Sequence, residues 1–440
     1  MDKADIARSP KTADARSNGV GHYRWVICAL LFFATTINYI DRQTLSLLKP
    51  ALDRQFGWDY KQFGWINAFF QGAYGAGLWA FGWFADVYGV KIAYAVSIVA
   101  WSFAAMAQGI AVNTPTFTLA RVCLGLGEGG NFPAAIKTVA QWFPQTERAW
   151  ATALFNAGTN VGPILAPGII LWLSSSFGWR SAFIATGALG LLWVVFWLRL
   201  YYSPATHPSA NPSALAEHRA AEDRAVNKIS WRELLKYPQT WSFIVAKFLT
   251  DPVWWFFLIW LPDFFKQTRG LDLKQSWAHL VTIYTIITAL SVIGGWVVGF
   301  LASLGWTISR ARKTAMFFFA LCVTPVYLVT KSGPWGAVAL IGLAGAAHQA
   351  WSANLFTTVS DMFPKSAVAS VVGLGGLSGS VGAMIFPILT GQLLDHFKAN
   401  PAAGYAILFS VCAFAYLPAF ALNHLLAPEF EMITTPPRSS

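Results

Sequence analysis

Apolar residues in this chain fall in long uninterrupted runs, without the strict alternation of strands or the narrow stripe of a half-buried helix. Runs long enough to cross a bilayer recur at 24–48, 62–84, 91–110, 116–141, 149–173, 181–202, 239–265, 278–302, 313–331, 335–360, 368–393 and 404–427. A membrane helix needs about 20 apolar residues. Barrel strands are about half that length and alternate apolar with polar, so a β-barrel is excluded. The predicted fold class is all-α, a polytopic membrane protein with twelve transmembrane helices in two six-helix, pseudo-symmetric halves.

The polar stretches between the runs set the domain layout. Residues 1–22 form an N-terminal tail, 23–202 the first half, 203–237 a linker, 238–427 the second half, and 428–440 a C-terminal tail. The linker holds Pro204, Pro208 and Pro212, then a mixed-charge tract, and ends in a stretch at 229–235 able to lie on a membrane surface. The first apolar run has no small-residue cleavage site, so it reads as a retained span and not a signal peptide.

Composition agrees with this layout: 55% of residues are hydrophobic and 12% charged, about half the charged share of soluble domains. The net charge of +11 would suggest nucleic-acid binding only on a polar surface, which most of the chain lacks. It reports orientation instead. With both termini cytoplasmic, the inner segments hold 18 Lys and Arg and the outer loops nine, as the positive-inside rule requires. The four cysteines, Cys28, Cys123, Cys322 and Cys412, sit inside apolar runs at no metal-ligand spacing. No metal or cofactor is expected.

The two halves also repeat each other in sequence. Residues 142–167 match 362–387 at a constant offset of 220, with Phe143 on Phe363, Pro144 on Pro364, Val161 on Val381, Gly162 on Gly382 and Pro167 on Pro387. Duplicated six-span units place a transport site near the bilayer midplane, between the halves.

Charged groups at that depth cost at least about 2.5–3.5 kcal/mol each, so those present need a reason. The first run ends in Tyr39, Asp41 and Arg42, within roughly one turn; a solvated interfacial pair is the rival reading. The fourth run holds Arg121 and Glu128 two turns apart among glycines, either as a proton-linked site or as a structural pair. A phosphate loop is excluded there, since no strand precedes it and no Gly-Lys-Ser/Thr follows. Lys247 and Asp251 in the seventh run are spaced for an internal ion pair, or for Lys247 to face Arg42 through the pseudo-twofold; Trp254 follows. Asn156, Thr159 and Asn160 in the fifth run, and His348, Gln349, Trp351 and Asn354 in the tenth, are cavity-lining candidates, as is Tyr74 in the second. Cations, amides and indole faces suit a small polyhydroxylated anion. An intramembrane hydrolase using Ser378 or Ser380 with His348 lacks a Gly-x-Ser-x-Gly elbow, and the duplication has no role in one. A receptor without transport is the other non-enzyme reading.

The segment Gly82-Trp-Phe-Ala-Asp86-Val-Tyr-Gly89-Val-Lys91 resembles the signature loop of the major facilitator superfamily, with Val87 where Arg is usual. The runs Asn38-Tyr39-Ile40-Asp41-Arg42, Gly125-Leu-Gly-Glu128-Gly-Gly-Asn131-Phe-Pro133 and Phe155-Asn156-Ala-Gly-Thr-Asn160-Val-Gly162 are similar to the anion:cation symporter family, in its hexuronate branch. That resemblance covers about 22–427. It implies the major facilitator fold and no enzymatic activity, in a protein of the bacterial inner membrane. Its function would be proton-coupled import of galacturonate or glucuronate by a monomer, its partners being a sugar-acid anion, protons and the lipid bilayer, with no nucleic acid. Asp41 and Glu128 would carry protons, and Gly82, Asp86, Gly89 and Lys91 would belong to the gate. Tyr39, Arg42, Tyr74, Arg121, Asn156, Thr159, Asn160, Lys247, Trp254, His348, Gln349, Trp351 and Asn354 would surround the substrate. An organophosphate:phosphate antiporter of the same superfamily is the alternative.

Overall fold

The computed structural model describes residues 18–143, 148–203 and 231–433, and their regular structure is entirely helical. Both tails and most of the linker, including Pro204, Pro208 and Pro212, lie outside the described residues. Of the stretch at 229–235, one short turn, Trp231–Leu234, is described as helix.

Twelve span positions follow in order. The first half contains Asn18–Phe56, Tyr60–Tyr88, Val90–Ile110, the pair Thr114–Glu128 and Asn131–Trp142, the pair Arg148–Asn156 and Gly158–Phe177, and Trp179–Leu200. The second contains Pro238–Arg269, Leu273–Ser303, Ile308–Val323 with the 3-10 extension Thr324–Lys331, Pro334–Met362, Lys365–His396, and the pair Pro401–Phe414 and Tyr416–Leu426. Nine helices among the described residues are individually long and apolar enough to cross a membrane. The second, fourth and tenth positions are the others, one a broken helix and all three rich in Gly, Asn, Gln or His.

Three predicted continuous runs prove to be broken. The fourth turns at Gly129 and Gly130, where Gly130 N–H reaches back to Gly127 O and tightens the helix. The fifth breaks at Ala157 and the twelfth at Ala415. Hydropathy continues across each break, so the sequence pattern reads straight through.

The duplication is visible in the backbone. Phe143 and Phe363 both leave their helices in extended conformation, and their N–H groups bond to Val139 O and Val359 O, themselves 220 residues apart. The outer hairpins repeat as well. Gly57 and Gly270 both take positive φ, and Asp59 and Asp272 each cap the next helix in a reciprocal box with Gln62 and Gln275. Those boxes stand 213 residues apart.

Large apolar side chains point outward. Trp79 is 72% exposed, with Trp172, Trp296 and Phe103 also more than half exposed, a surface that water would penalise and hydrocarbon would not. The halves are clamped together at the end carrying the Phe56–Tyr60 turn. There Lys49 meets Asp263 at 3.3 Å, Lys61 meets Asp395 at 2.9 Å, and Trp260 packs on Tyr60 and Phe63. Gly64 and Gly391 let the second and eleventh spans touch backbone to backbone.

Candidate functional site

A cavity of about 230 Å³ sits between the halves. The first half contributes Tyr39, Tyr74, Leu78, Phe132, Asn156 and Thr159 to its wall. The second contributes Lys247, Asp251, Trp254, Trp255, His348, Gln349, Ser352 and Phe356, with Gly376, Gly379 and Ser380. Leu78, Phe356 and Gly376 lie along their helices away from the clamped end, so the cavity runs from mid-span toward the opposite end of the bundle.

Behind Tyr39 and Tyr74 lies a buried charge cluster. Arg42 Nε donates to Glu128 Oε2 at 2.6 Å, with both side chains at or below 4% exposure. The Arg42 guanidinium is caged by rings: Tyr74 at 4.5 Å, Tyr39 at 4.8 Å, Trp255 at 4.9 Å and Phe70 at 5.7 Å from their centroids. Arg121 stands 4.3 Å from the Phe70 ring, so both guanidinium groups lie against one phenyl. Arg42 Nη1 and Nη2, Arg121 Nε and Nη1, and Glu128 Oε1 are buried without a hydrogen-bond partner among the described residues. Asp41, the neighbour of Arg42 on the first span, is buried too. Neither of its oxygens takes part in a hydrogen bond of normal geometry, although Thr186 approaches it, and it lies within electrostatic reach of Glu128, Arg121 and Arg42. Unpaired buried polar atoms of this number are rare in folded proteins and collect where function requires them.

Glycine holds Glu128 in place. Any Cβ at Gly127 would overlap the Trp101 backbone, and one at Gly129 would overlap Gly77, so the fourth span approaches its neighbours as closely as small residues permit. Ser97 Oγ donates to Gly127 O, and Asn131 is bonded to Tyr94 and Thr35. The helix therefore presents Glu128 to Arg42 across 86 residues of sequence, and Arg121 adds charge without a direct bond to it.

Of the candidate substrate residues, Tyr39, Tyr74, Asn156, Thr159, Lys247, Trp254, His348 and Gln349 line the cavity. Arg42 and Arg121 stand behind its wall. Asn160 accepts from Gln349 at 3.5 Å, joining the halves just beside it. Trp351 is fully buried, edge-on to Tyr416, and Asn354 faces Ala350 O and Arg312; neither lines the cavity, because both lie on other faces of the tenth span. His348 stacks on Trp254 at 5.5 Å and shares a 2.5 Å hydrogen bond with the Tyr416 hydroxyl. The pseudo-twofold does not set Lys247 opposite Arg42. The 213-residue repeat of the outer hairpins pairs Arg42 with Trp255, so Lys247 lies about two turns nearer the open end.

Among the gate candidates, Gly89 has φ +80° and ends the second span, a conformation that favours glycine. Gly82 approaches Pro133, and Lys91 lies 5.4 Å from the Tyr202 ring. The Asp86 side chain is outside the described residues. Lys137 Nζ donates to Ala85 O, near the same helix end.

Ser352 of the tenth-span polar cluster and Asp251, the partner of Lys247, are on the wall as well, and the wall residues absent from the sequence expectation are Leu78, Phe132, Phe356 and the glycines of the eleventh span. The repeat contained a signal for the last group: at offset 220, Asn156, Thr159 and Asn160 fall on Gly376, Gly379 and Ser380.

Two helical halves, clamped at one end around a central cavity and clad in apolar side chains, have the build of a multi-pass membrane transporter. The chain belongs to the Major Facilitator Superfamily, whose family model matches residues 31–387. It is 30% identical over 404 residues to the hexuronate transporter of Escherichia coli (strain K12), covering 89% of this chain and 90% of that one. It is also 30% identical over 394 residues to the probable galactarate/D-glucarate transporter GudP of Bacillus subtilis (strain 168), covering 84% and 86%. A galacturonate transporter of Dickeya chrysanthemi is 30% identical over 261 residues, covering 57% and 74%. Among solved structures, a bacterial homologue of the human lysosomal transporter Spinster, inward-facing and occupied, superposes with a TM-score of 0.71 at 17% identity, covering 92% of this chain and 97% of that one. A D-xylose–proton symporter gives 0.67 at 14% identity, covering 93% and 99%.

Proposed function

We propose that this protein imports a small sugar-acid anion, a hexuronate such as galacturonate or glucuronate, together with protons, by alternating access in a bacterial inner membrane. The relatives named for hexuronate, galacturonate and galactarate/glucarate transport support the substrate class. The observation that carries the coupling is the buried Arg42–Glu128 pair behind the cavity wall, with Arg121 and Asp41 beside it. Placing the termini in the cytoplasm, as the Lys and Arg distribution favours, makes the clamped end periplasmic and this conformation inward-facing.

Proton arrival at Glu128 neutralises the partner of Arg42 and frees its guanidinium for a carboxylate, which it binds bidentately. Asp41 gains or loses a proton without breaking a hydrogen bond. Asn156, Thr159, Gln349 and Ser352 offer donors and acceptors for sugar hydroxyls, and the Trp254 and Trp255 faces suit the C–H face of the ring. Gly82, Asp86, Gly89 and Lys91 act in the cytoplasmic gate. If two protons accompany one monoanion, net charge +1 enters, and 100 mV contributes about 2.3 kcal/mol.

The test is galacturonate uptake into proteoliposomes. Glu128→Gln loses uptake driven by a pH gradient and keeps galacturonate counterflow. Normal gradient-driven uptake by that variant would overturn the coupling role, and phosphate exchange without pH drive would point to the organophosphate antiporter reading.

A further inference from the structure

We propose that Asp251 is the resident counter-ion of the substrate site: it holds Lys247 between transport events and yields that ammonium to the carboxylate of the arriving anion. The inference rests on the reading that the cargo is a carboxylate.

Lys247 Nζ and Asp251 Oδ2 are 2.7 Å apart, and both residues line the cavity. They are four residues apart on one helix, so the pair stays within reach whichever way the halves rock. The ammonium also lies 4.5 Å from the centroid of the Phe356 ring, itself part of the cavity wall. The eleventh span makes room for the acid. Gly379 packs against Asp251, and the nearest atoms a Cβ there would meet are those of the Asp251 side chain, its carboxylate oxygen first.

A uronate carboxylate would make the same ammonium contact that Asp251 makes now, so each displaces the other. Two consequences follow. An empty carrier returns with its cavity cation compensated, which avoids the cost of an unpaired buried charge. Substrate affinity is also the difference between two similar ion pairs, which keeps release fast. Lys247 lies on the open side of Arg42, where a departing anion passes last. Asp251 therefore acts as a displacing group at the exit.

The experiment is titration of the purified full-length protein with D-galacturonate, with galactose as the control lacking a carboxylate. Asp251→Asn removes the competitor and should tighten binding by about tenfold, while slowing efflux from loaded proteoliposomes. Gly379→Ala keeps both charges but pushes the carboxylate aside, and should tighten binding in the same direction. Lys247→Ala and the double variant Lys247→Ala/Asp251→Ala should both lose affinity. Unchanged or weaker binding in both Asp251→Asn and Gly379→Ala overturns the proposal. Wild-type affinity in the double variant does so too, since a purely structural pair is replaceable by two neutral residues. If the unaltered protein binds no uronate, the proposed substrate class falls first; if it binds and only these variants fail to respond, the role of Asp251 alone falls.

Discussion

At the scale of single residues, the site is a set of cations kept from solvent by aromatic faces. Tyr74 does two jobs, forming part of the cavity wall and holding the Arg42 guanidinium 4.5 Å from its ring. A desolvated cation–π contact contributes about 2 kcal/mol, and the phenol oxygen adds nothing to it. Tyr74→Phe should therefore keep galacturonate KM near the native value, while Tyr74→Ala should raise it by up to roughly thirtyfold. Equal losses in the two variants, measured as initial uptake rates, would assign the effect to the hydroxyl. Arg42→Lys tests the same cluster by other means. A lysine retains the charge but loses the planar fork and the stacking face, so uptake should fall by at least about tenfold; native uptake kinetics would show that only the charge matters.

At the scale of elements, glycine decides where the charged groups sit. A Cβ at Gly127 would overlap the backbone of Trp101, whereas one at Gly168 would meet open space. Gly127→Ala should cost about 1–3 kcal/mol through overpacking, read as a lower melting temperature in detergent, and Gly168→Ala should leave melting unchanged. A Gly127→Ala protein as stable as the native one would mean that the fourth span can shift without consequence. The sequence makes part of this element structure legible. Twelve apolar runs are set by bilayer thickness, and the duplication is carried by the Phe-Pro and Val-Gly pairs. The breaks at Gly129–Gly130 and Ala157 are not legible, because lipid-facing residues keep hydropathy continuous across them. The Arg42–Glu128 bond is hidden for another reason: it depends on the relative rotation of two helices, and the i±3 and i±4 neighbours of Glu128 offer no cation. Gly376 and Gly379 carry no chemistry of their own, so only projection of the fifth-span polar residues through the repeat reveals them as cavity wall.

At the scale of the whole molecule, the question is what holds one end shut. Among the described residues, two charge contacts cross between the halves there, and they differ in kind. Lys61–Asp395 involves a lysine 53% exposed, where solvent and salt screen the attraction. Lys49 is 3% exposed; it bridges Asp53 at 2.7 Å on its own helix and Asp263 at 3.3 Å on the opposite half. Asp263 in turn accepts from the Tyr405 hydroxyl at 2.6 Å, and the ammonium lies 4.7 Å from the Tyr60 ring. Asp263→Asn removes the charge that ties the halves while leaving Lys49 paired with Asp53, so no buried cation is stranded and folding should survive. The equilibrium between closed and open at this end should then move toward open by about tenfold or more, since each 1.4 kcal/mol lost from one state changes a population ratio that much. Spin labels at Asp59 and Lys398, which flank the closed end on opposite halves, would report the change as a growing long-distance population. Lys61→Ala should leave the same distance distribution close to native. If Asp263→Asn gives the native distribution, the buried bridge is not the lock and the close backbone packing of Gly64 on Gly391 suffices; if Lys61→Ala opens the end as far, the exposed bridge to Asp395 shares the role.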